Sequence, residues 1–160
     1  MAEAEIFREL KDDHDTHRTL LDLIEKTQGD SEGRRELFER FQVEVRAPAS
    51  AEEQSLYAVM LGKPDLNDDA KHSVSEHKEI EDIIAELFEM DMSSSGWLTR
   101  FKTLKHDYLH HIDEEEEEMF PAAAKGLSET EKARIAKVFE DRKPKEKAKA
   151  KNVDPGDDRE

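Results

Sequence analysis

The residues 110–121 read HHIDEEEEEMFP: two adjacent histidines, five consecutive glutamates, then Met119-Phe120-Pro121. A run of like charges is ordinarily a solvated helix face. The helical period divides this one. Stepping by three or four gives the stripe Trp97, Phe101, Leu104, Tyr108, His111, Glu115, Met119, which is apolar except at His111 and Glu115. These two share a face one turn apart, whereas His110, Glu114 and Glu117 fall off the line and read as solvated. An imidazole and a carboxylate set among apolar side chains are the donors of a metal site or the members of a buried polar layer.

The same interruption recurs. One helical stripe is Phe7, Leu10, His14, His17, Leu21, Ile24. A second is Leu37, Phe41, Val45, Pro48, Glu52, Leu56, Val59, and a third is Ala70, Val74, His77, Ile80 with Glu81, Ile84, Leu87. Each stripe carries its non-core residue near the middle. Burying one unpaired carboxylate costs several kcal/mol, roughly, and two cost more, so histidines and glutamates meeting at one depth favour a compensating cation over a purely structural polar layer. Imidazole and carboxylate without thiolate suit iron, manganese or zinc. A carboxylate pair from two facing helices favours two metals over one.

The elements that must position these residues are helices nearly throughout. The spacing predicts helices over 4–27, 32–61, 67–91 and 97–125. Asn67 or the neighbouring aspartates would cap the third, and Ser93-Ser94-Ser95-Gly96 forms a loop. Ser128 with Glu131 matches a capping box and opens a short fifth helix to about Asp141. Short connections make the fold class all-α, an up-down-up-down four-helix bundle occupying residues 1–141. The remainder, 142–160, has almost no apolar content and reads as a disordered, solvated tail.

Composition narrows the function. The chain of 160 residues carries a net charge of −16 with 41% charged residues. This argues against nucleic acid or an anionic membrane as partner. The sequence has no cysteine, which excludes disulfides, zinc–cysteine sites, iron–sulfur clusters and a cysteine nucleophile and fits a reducing cytoplasm, the expected location. The N-terminal stretch lacks an apolar signal core, and no segment has the ~20 apolar residues of a membrane span. There is no phosphate-binding glycine loop, serine triad or zinc-protease motif.

A weak internal repeat relates 51–60 to 113–122, pairing Glu52-Glu53 with Glu115-Glu116 and Leu56-Tyr57 with Met119-Phe120. Together with Asp13-His14, Glu76-His77 and His111-Ile-Asp-Glu-Glu115-Glu116 before Met-Phe-Pro, this resembles the hemerythrin-like (HHE cation-binding) family over about residues 4–125. The resemblance implies a four-helix hemerythrin bundle with a non-heme diiron centre. Glu52 and Glu115 would bridge, and His14, His77 and His111 would be terminal ligands. It also implies binding or sensing of dioxygen or a related small oxidant, with stress response and peroxide decomposition among the roles of bacterial relatives.

The repeat sets Pro48 opposite His111, where the family's helix 2 motif has a histidine. Proline offers no ligand and costs roughly 3 kcal/mol in a helix interior. Ser50 with Glu53 matches a capping box, so the helix is expected to break near Ala47–Ala49 and restart. Ser73 is a milder departure, four residues before His77. Three outcomes stay open: two metals with one under-ligated, one metal only, or His17 or Glu81 as substitute ligand. Function then divides between a diiron oxidant-binding protein, a peroxide-decomposing enzyme, and a metal-free helical interaction protein. Tyr57, Tyr108 and Trp97 read as core aromatics.

Overall fold

The computed structural model describes residues 3–29 and 31–155, and among these every regular element is a helix. Helix α1 is Glu5–Glu25. Helix α2 runs through three consecutive pieces: Glu32–Glu52, a π-helical turn Glu53–Tyr57, and Ala58–Leu61. Helix α3 is Asn67–Glu89. Helix α4 repeats the pattern of α2 as Ser95–Glu114, a π turn Glu115–Met119, and Phe120–Gly126. Helix α5 is Glu129–Asn152.

Three serines start helices by accepting a backbone N–H two or three residues into the first turn. Ser31 caps α2 through Arg34, Ser94 caps α4 through Trp97, and Ser128 with Glu131 forms the expected capping box of α5. Helix α3 does not use the cap expected for it. Leu66 occupies the N-cap without a side-chain bond, and the Asn67 amide instead donates to the Leu61 carbonyl at 2.6 Å, closing the α2–α3 turn.

Helices α1 to α4 pack as a ring in which α1 touches α2 and α4, and α3 touches the same two. The inward stripes form two apolar cores. One holds Phe7, Leu10, Leu56, Met60 and Phe120, and the other Leu21, Ile24, Phe41, Ile84, Trp97 and Phe101. Between them lie the buried polar residues His14, His17, Glu52, Ser73, His111 and Glu115. The sequence stripes thus place the polar layer correctly at mid-bundle.

The two π turns were not visible in the spacing. Each adds one residue to a helical turn and shifts the face downstream of it. In α2 the buried position accordingly moves from the expected Val59 to Met60, and Tyr57 becomes fully buried. Both turns begin beside a buried glutamate, Glu52 in α2 and Glu115 in α4.

Helix α2 does not break at Pro48. It is continuous from Glu32 to Glu52 with Pro48 buried inside it, and Ser50 does not act as a cap: its hydroxyl donates to Glu146 Oε1 at 3.0 Å. Proline cannot donate to the carbonyl four residues back, that of Glu44. The imidazole of His17 fills the gap, with Nε2 2.7 Å from the Glu44 oxygen.

The fifth helix also differs from expectation, because it continues past Asp141 to Asn152. Its stripe Ile135, Phe139, Glu146, Ala150 keeps the helical period and is buried, packing most extensively on α2 and also on α1. Composition hid this because polar anchors replace apolar ones. Lys143 reaches Asp13 at 2.6 Å and Lys147 reaches Glu44 at 3.0 Å. Arg46 Nη1 donates to the Val153 carbonyl at 2.9 Å, satisfying the orphan end of the helix. Pro144 is tolerated because it and Glu140, whose carbonyl it deprives, both face solvent. The last residues of the expected tail, 156–160, lie outside the described residues.

Candidate metal centre

The structure brings His14, Glu52, His77, His111 and Glu115 to one level. Glu52 and Glu115 project from α2 and α4 toward each other across the bundle, close enough for each to perturb the other's charge. His14 Nε2 lies 3.1 Å from Glu115 Oε1, His111 Nε2 3.7 Å from Glu115 Oε2, and His77 Nε2 3.5 Å from Glu52 Oε1. The His77 and His111 rings meet edge to face with centroids 4.8 Å apart. One donor atom each of His77, His111 and Glu115 lies within 4.8 Å of the others.

Every inward Nε2 has a carboxylate behind it. His14 Nδ1 is 2.7 Å from Glu116 Oε2, and His111 Nδ1 is 2.8 Å from Glu76 Oε1. His77 Nδ1 is 3.5 Å from Glu53 Oε1, close but out of hydrogen-bond alignment. An imidazole that gives its outer N–H to a carboxylate is fixed in tautomer and turns a basic nitrogen inward, the usual support of a metal-bound histidine. Arg18 steadies Glu116 in turn, its Nη2 donating at 3.0 Å.

The electrostatics are those of a site short of positive charge. Burial and the neighbouring Glu115 charge push the Glu52 carboxyl well above the usual range. Burial acts the same way on Glu115, but the closeness of His14 and the charges of His111 and His14 outweigh it and hold that carboxyl below the usual range. Burial disfavours charge on His14, yet Glu115 and Glu116 raise it to about 9. Protons on Glu52 and His14 therefore neutralise the layer where cations otherwise would. Glu52 Oε2 is still buried without a hydrogen-bond partner, and Glu115 Oε1 has only His14 Nε2 beside it, out of hydrogen-bond alignment. Native proteins rarely leave such oxygens unsatisfied. Three oriented imidazoles and two carboxylates with orphaned oxygens fit a cation centre.

Pro48 lines a void of about 10 Å³ shared with Asp13, His14, Glu52, His77 and His111. That is about the room one small ligand or water needs. No donor comes from Pro48. Of the two reserve ligands, His17 is engaged at both nitrogens, by the Glu44 carbonyl at Nε2 and by the Tyr108 hydroxyl at Nδ1, each at 2.7 Å. Glu81 is held by Arg46 Nε at 3.2 Å. Ser73 is buried and donates to Met119 Sδ at 3.2 Å.

A model of the Hemerythrin HHE cation binding domain matches residues 5–123. The chain belongs to this family. The HHE match spans all four bundle helices and the whole polar layer, and cation binding is the property for which the family is named. Among solved structures the fold is similar to a Hemerythrin HHE cation binding domain-containing protein, the Rv2633c homolog from Mycobacterium kansasii. That similarity has 21% identity and a TM-score of 0.79, covering 93% of this chain and 90% of the other. No match is found among curated proteins.

Within the HHE layer, sequence reasoning gave Tyr57 no chemistry, yet its hydroxyl donates to Glu115 Oε2 and lies 3.5 Å from His77 Nε2. Simple helical spacing could not find this, because the π turn brings Tyr57 inward. The supporting roles of Glu53, Glu76 and Glu116 had a signal in the motifs that contain them, since each adjoins a residue of the layer.

A cleft of about 400 Å³ approaches from the α2–α3 side, lined by Arg46, Ala49, Ser50, Glu53, His77 and Tyr108, with Glu146 and Val153 at its α5 wall. Its wall includes one residue of the layer, His77. Among the described residues no helix is long and apolar enough to cross a membrane.

Proposed function

We propose that this HHE protein holds non-heme iron through His14, Glu52, His77, His111 and Glu115, and binds or senses dioxygen or a related small oxidant. The observation that carries the reading is the set of inward imidazole nitrogens, backed by carboxylates, around two buried carboxylates with orphaned oxygens. Imidazole and carboxylate donors without thiolate suit iron. Two irons are the expected complement, with Glu52 and Glu115 between them. His77 and His111 serve one side and His14 the other, where Pro48 leaves the donor set short. Iron, when bound, supplies redox chemistry and an exchangeable position for the oxidant.

The chain's own residues do the rest. Glu116 and Glu76 orient His14 and His111, and Glu53 stands behind His77. The apolar cores above and below exclude bulk water. Tyr57 offers a hydroxyl proton at Glu115 Oε2, and burial with the Glu115 and Glu52 charges keeps that phenol neutral by raising its pKa well above the usual value. The cleft at His77 favours a second reading, in which the same centre decomposes peroxide. An exchangeable position beside a cleft open to solvent suits turnover better than carriage.

The test is metal content per chain after anaerobic iron loading, for this protein and for Pro48→His side by side. Two irons in both are expected. Two only in the histidine variant would mean that Pro48 disables the two-iron centre and leaves this protein mononuclear or structural. None in either would overturn the iron reading. Peroxide turnover that rises in proportion to bound iron would select the enzymatic reading.

A further inference from the structure

Outside the buried layer, α3 and α4 each carry a second histidine–glutamate pair at i, i+4 spacing: His72 with Glu76, and His110 with Glu114. This spacing puts each pair on one helix face, and the two faces meet at the surface. His72 Nε2 crosses from α3 to lie 3.0 Å from Glu114 Oε1, and lies 3.4 Å from Glu76 Oε2 on its own helix. His110 Nε2 is 3.3 Å from Glu114 Oε2. One donor atom each of His72, Glu76 and Glu114 lies within 4.8 Å of the others, a cluster separate from the buried one.

We propose that His72, Glu76, His110 and Glu114 form a surface site for a divalent transition-metal cation. The donor set is two imidazoles and two carboxylates, which selects a borderline ion such as zinc, cobalt or ferrous iron over magnesium or calcium. The charge is right. Two carboxylates supply the negative charge that one divalent ion cancels. A merely solvated helix face would be expected to pair its glutamates with lysine or arginine. Among the described residues, the ion pairs of Glu76 and Glu114 run to imidazoles. Partial exposure leaves the side chains free to close the last ångström, with His72 at 56% and Glu114 at 30%. Zinc sites need donors about 2.0–2.2 Å from the ion.

Glu76 makes this more than a chance surface cluster. Its Oε1 orients His111 of the buried layer at 2.8 Å, while its Oε2 faces His72. An ion on the surface site would sit one carboxylate away from His111, at the outer wall of the centre. The surface site does not depend on what the buried layer holds.

The experiment is a zinc titration of metal-free protein, wild type against His72→Ala/His110→Ala, with bound metal counted by equilibrium dialysis. Folding is checked by circular dichroism. The wild type should bind one ion more than the double variant, whatever number the buried layer takes. Glu114→Gln should weaken that one ion at least tenfold. Imidazole resonances of His72 and His110 should shift together as it binds. Equal stoichiometry in wild type and double variant, or zinc shifts confined to His14, His77 and His111, would overturn the proposal.

Discussion

His17 and Pro48 make a pair whose coupling can be measured. Proline removes the amide that would serve the Glu44 carbonyl, and His17 Nε2 occupies that place at 2.7 Å. A carbonyl only accepts, so Nε2 carries the proton and Nδ1 accepts from the Tyr108 hydroxyl. Burial, reinforced by the charge on His14, pushes the His17 pKa down to about 3, so this neutral tautomer persists through the physiological range. Replacing His17 by leucine leaves two groups without partners, the Glu44 carbonyl and the Tyr108 hydroxyl. At about 1–3 kcal/mol each, the loss is roughly 2–6 kcal/mol, toward the lower end because Glu44 is only half-buried. In a Pro48→Ala background the backbone amide gained at position 48 serves Glu44, and only the Tyr108 loss of about 1–3 kcal/mol remains.

The expected coupling is therefore about 1–3 kcal/mol, read from urea unfolding of the four metal-free proteins of the cycle. Pro48→Ala alone should stabilise, because proline's cost in a helix, about 3 kcal/mol for ring clash and lost backbone bond together, exceeds the unfolded-state entropy it withholds, about 1 kcal/mol at most. A His17→Leu cost that is the same in both backgrounds, within about 0.5 kcal/mol, would refute the reasoning. His17 would then be core filling and free to serve as a ligand.

The metal-free protein should lose stability as pH rises from about 6.5 to about 9, because His14 has its pKa raised from 6.5 to about 9 on folding. The sign follows from the protonated form being the one the fold favours: its contribution is complete below the unfolded pKa and vanishes above the folded one. The ceiling is on the order of 3 kcal/mol, visible as a falling urea midpoint, and bound metal should abolish it by displacing the proton. Arg46→Ala removes the donors to the Val153 and Asp154 carbonyls and the tie to Glu81. It should cost about 1–3 kcal/mol and raise amide exchange selectively over 146–153. Uniform exchange along α5 would show that Arg46 does not fasten its end.

Where the sequence reading succeeded, the physics was periodic. Apolar residues at steps of three and four drew the inward stripes, and a histidine or glutamate within a stripe had to be buried because its neighbours were. His14, Glu52, His111 and Glu115 follow from that argument, and His77, with 9% of its side chain exposed, nearly so. Where it failed, the deciding partner lay far along the chain or the period itself changed. The π turns insert a residue without changing composition, so the buried position passed from Val59 to Met60 unannounced, and Tyr57, expected only as a core aromatic, reached Glu115. The stretch after Asp141 looks solvated by composition, yet Arg46, Asp13, Glu44 and Ser50 reach it from more than 90 residues away.

Pro48 joins both failures. Read locally it must break α2, and the cost is real, but its remedy is an imidazole from α1 together with a fifth helix laid along the same flank of α2. Pro48 brings no donor to the layer, and His17, the reserve imidazole, is already occupied in holding the helix together. A substitution that returns histidine to position 48 would restore the donor and, because histidine brings its own N–H, the missing backbone bond as well. It should therefore also release His17 from Glu44, and the two effects, added donor and freed imidazole, would act on the same side of the centre.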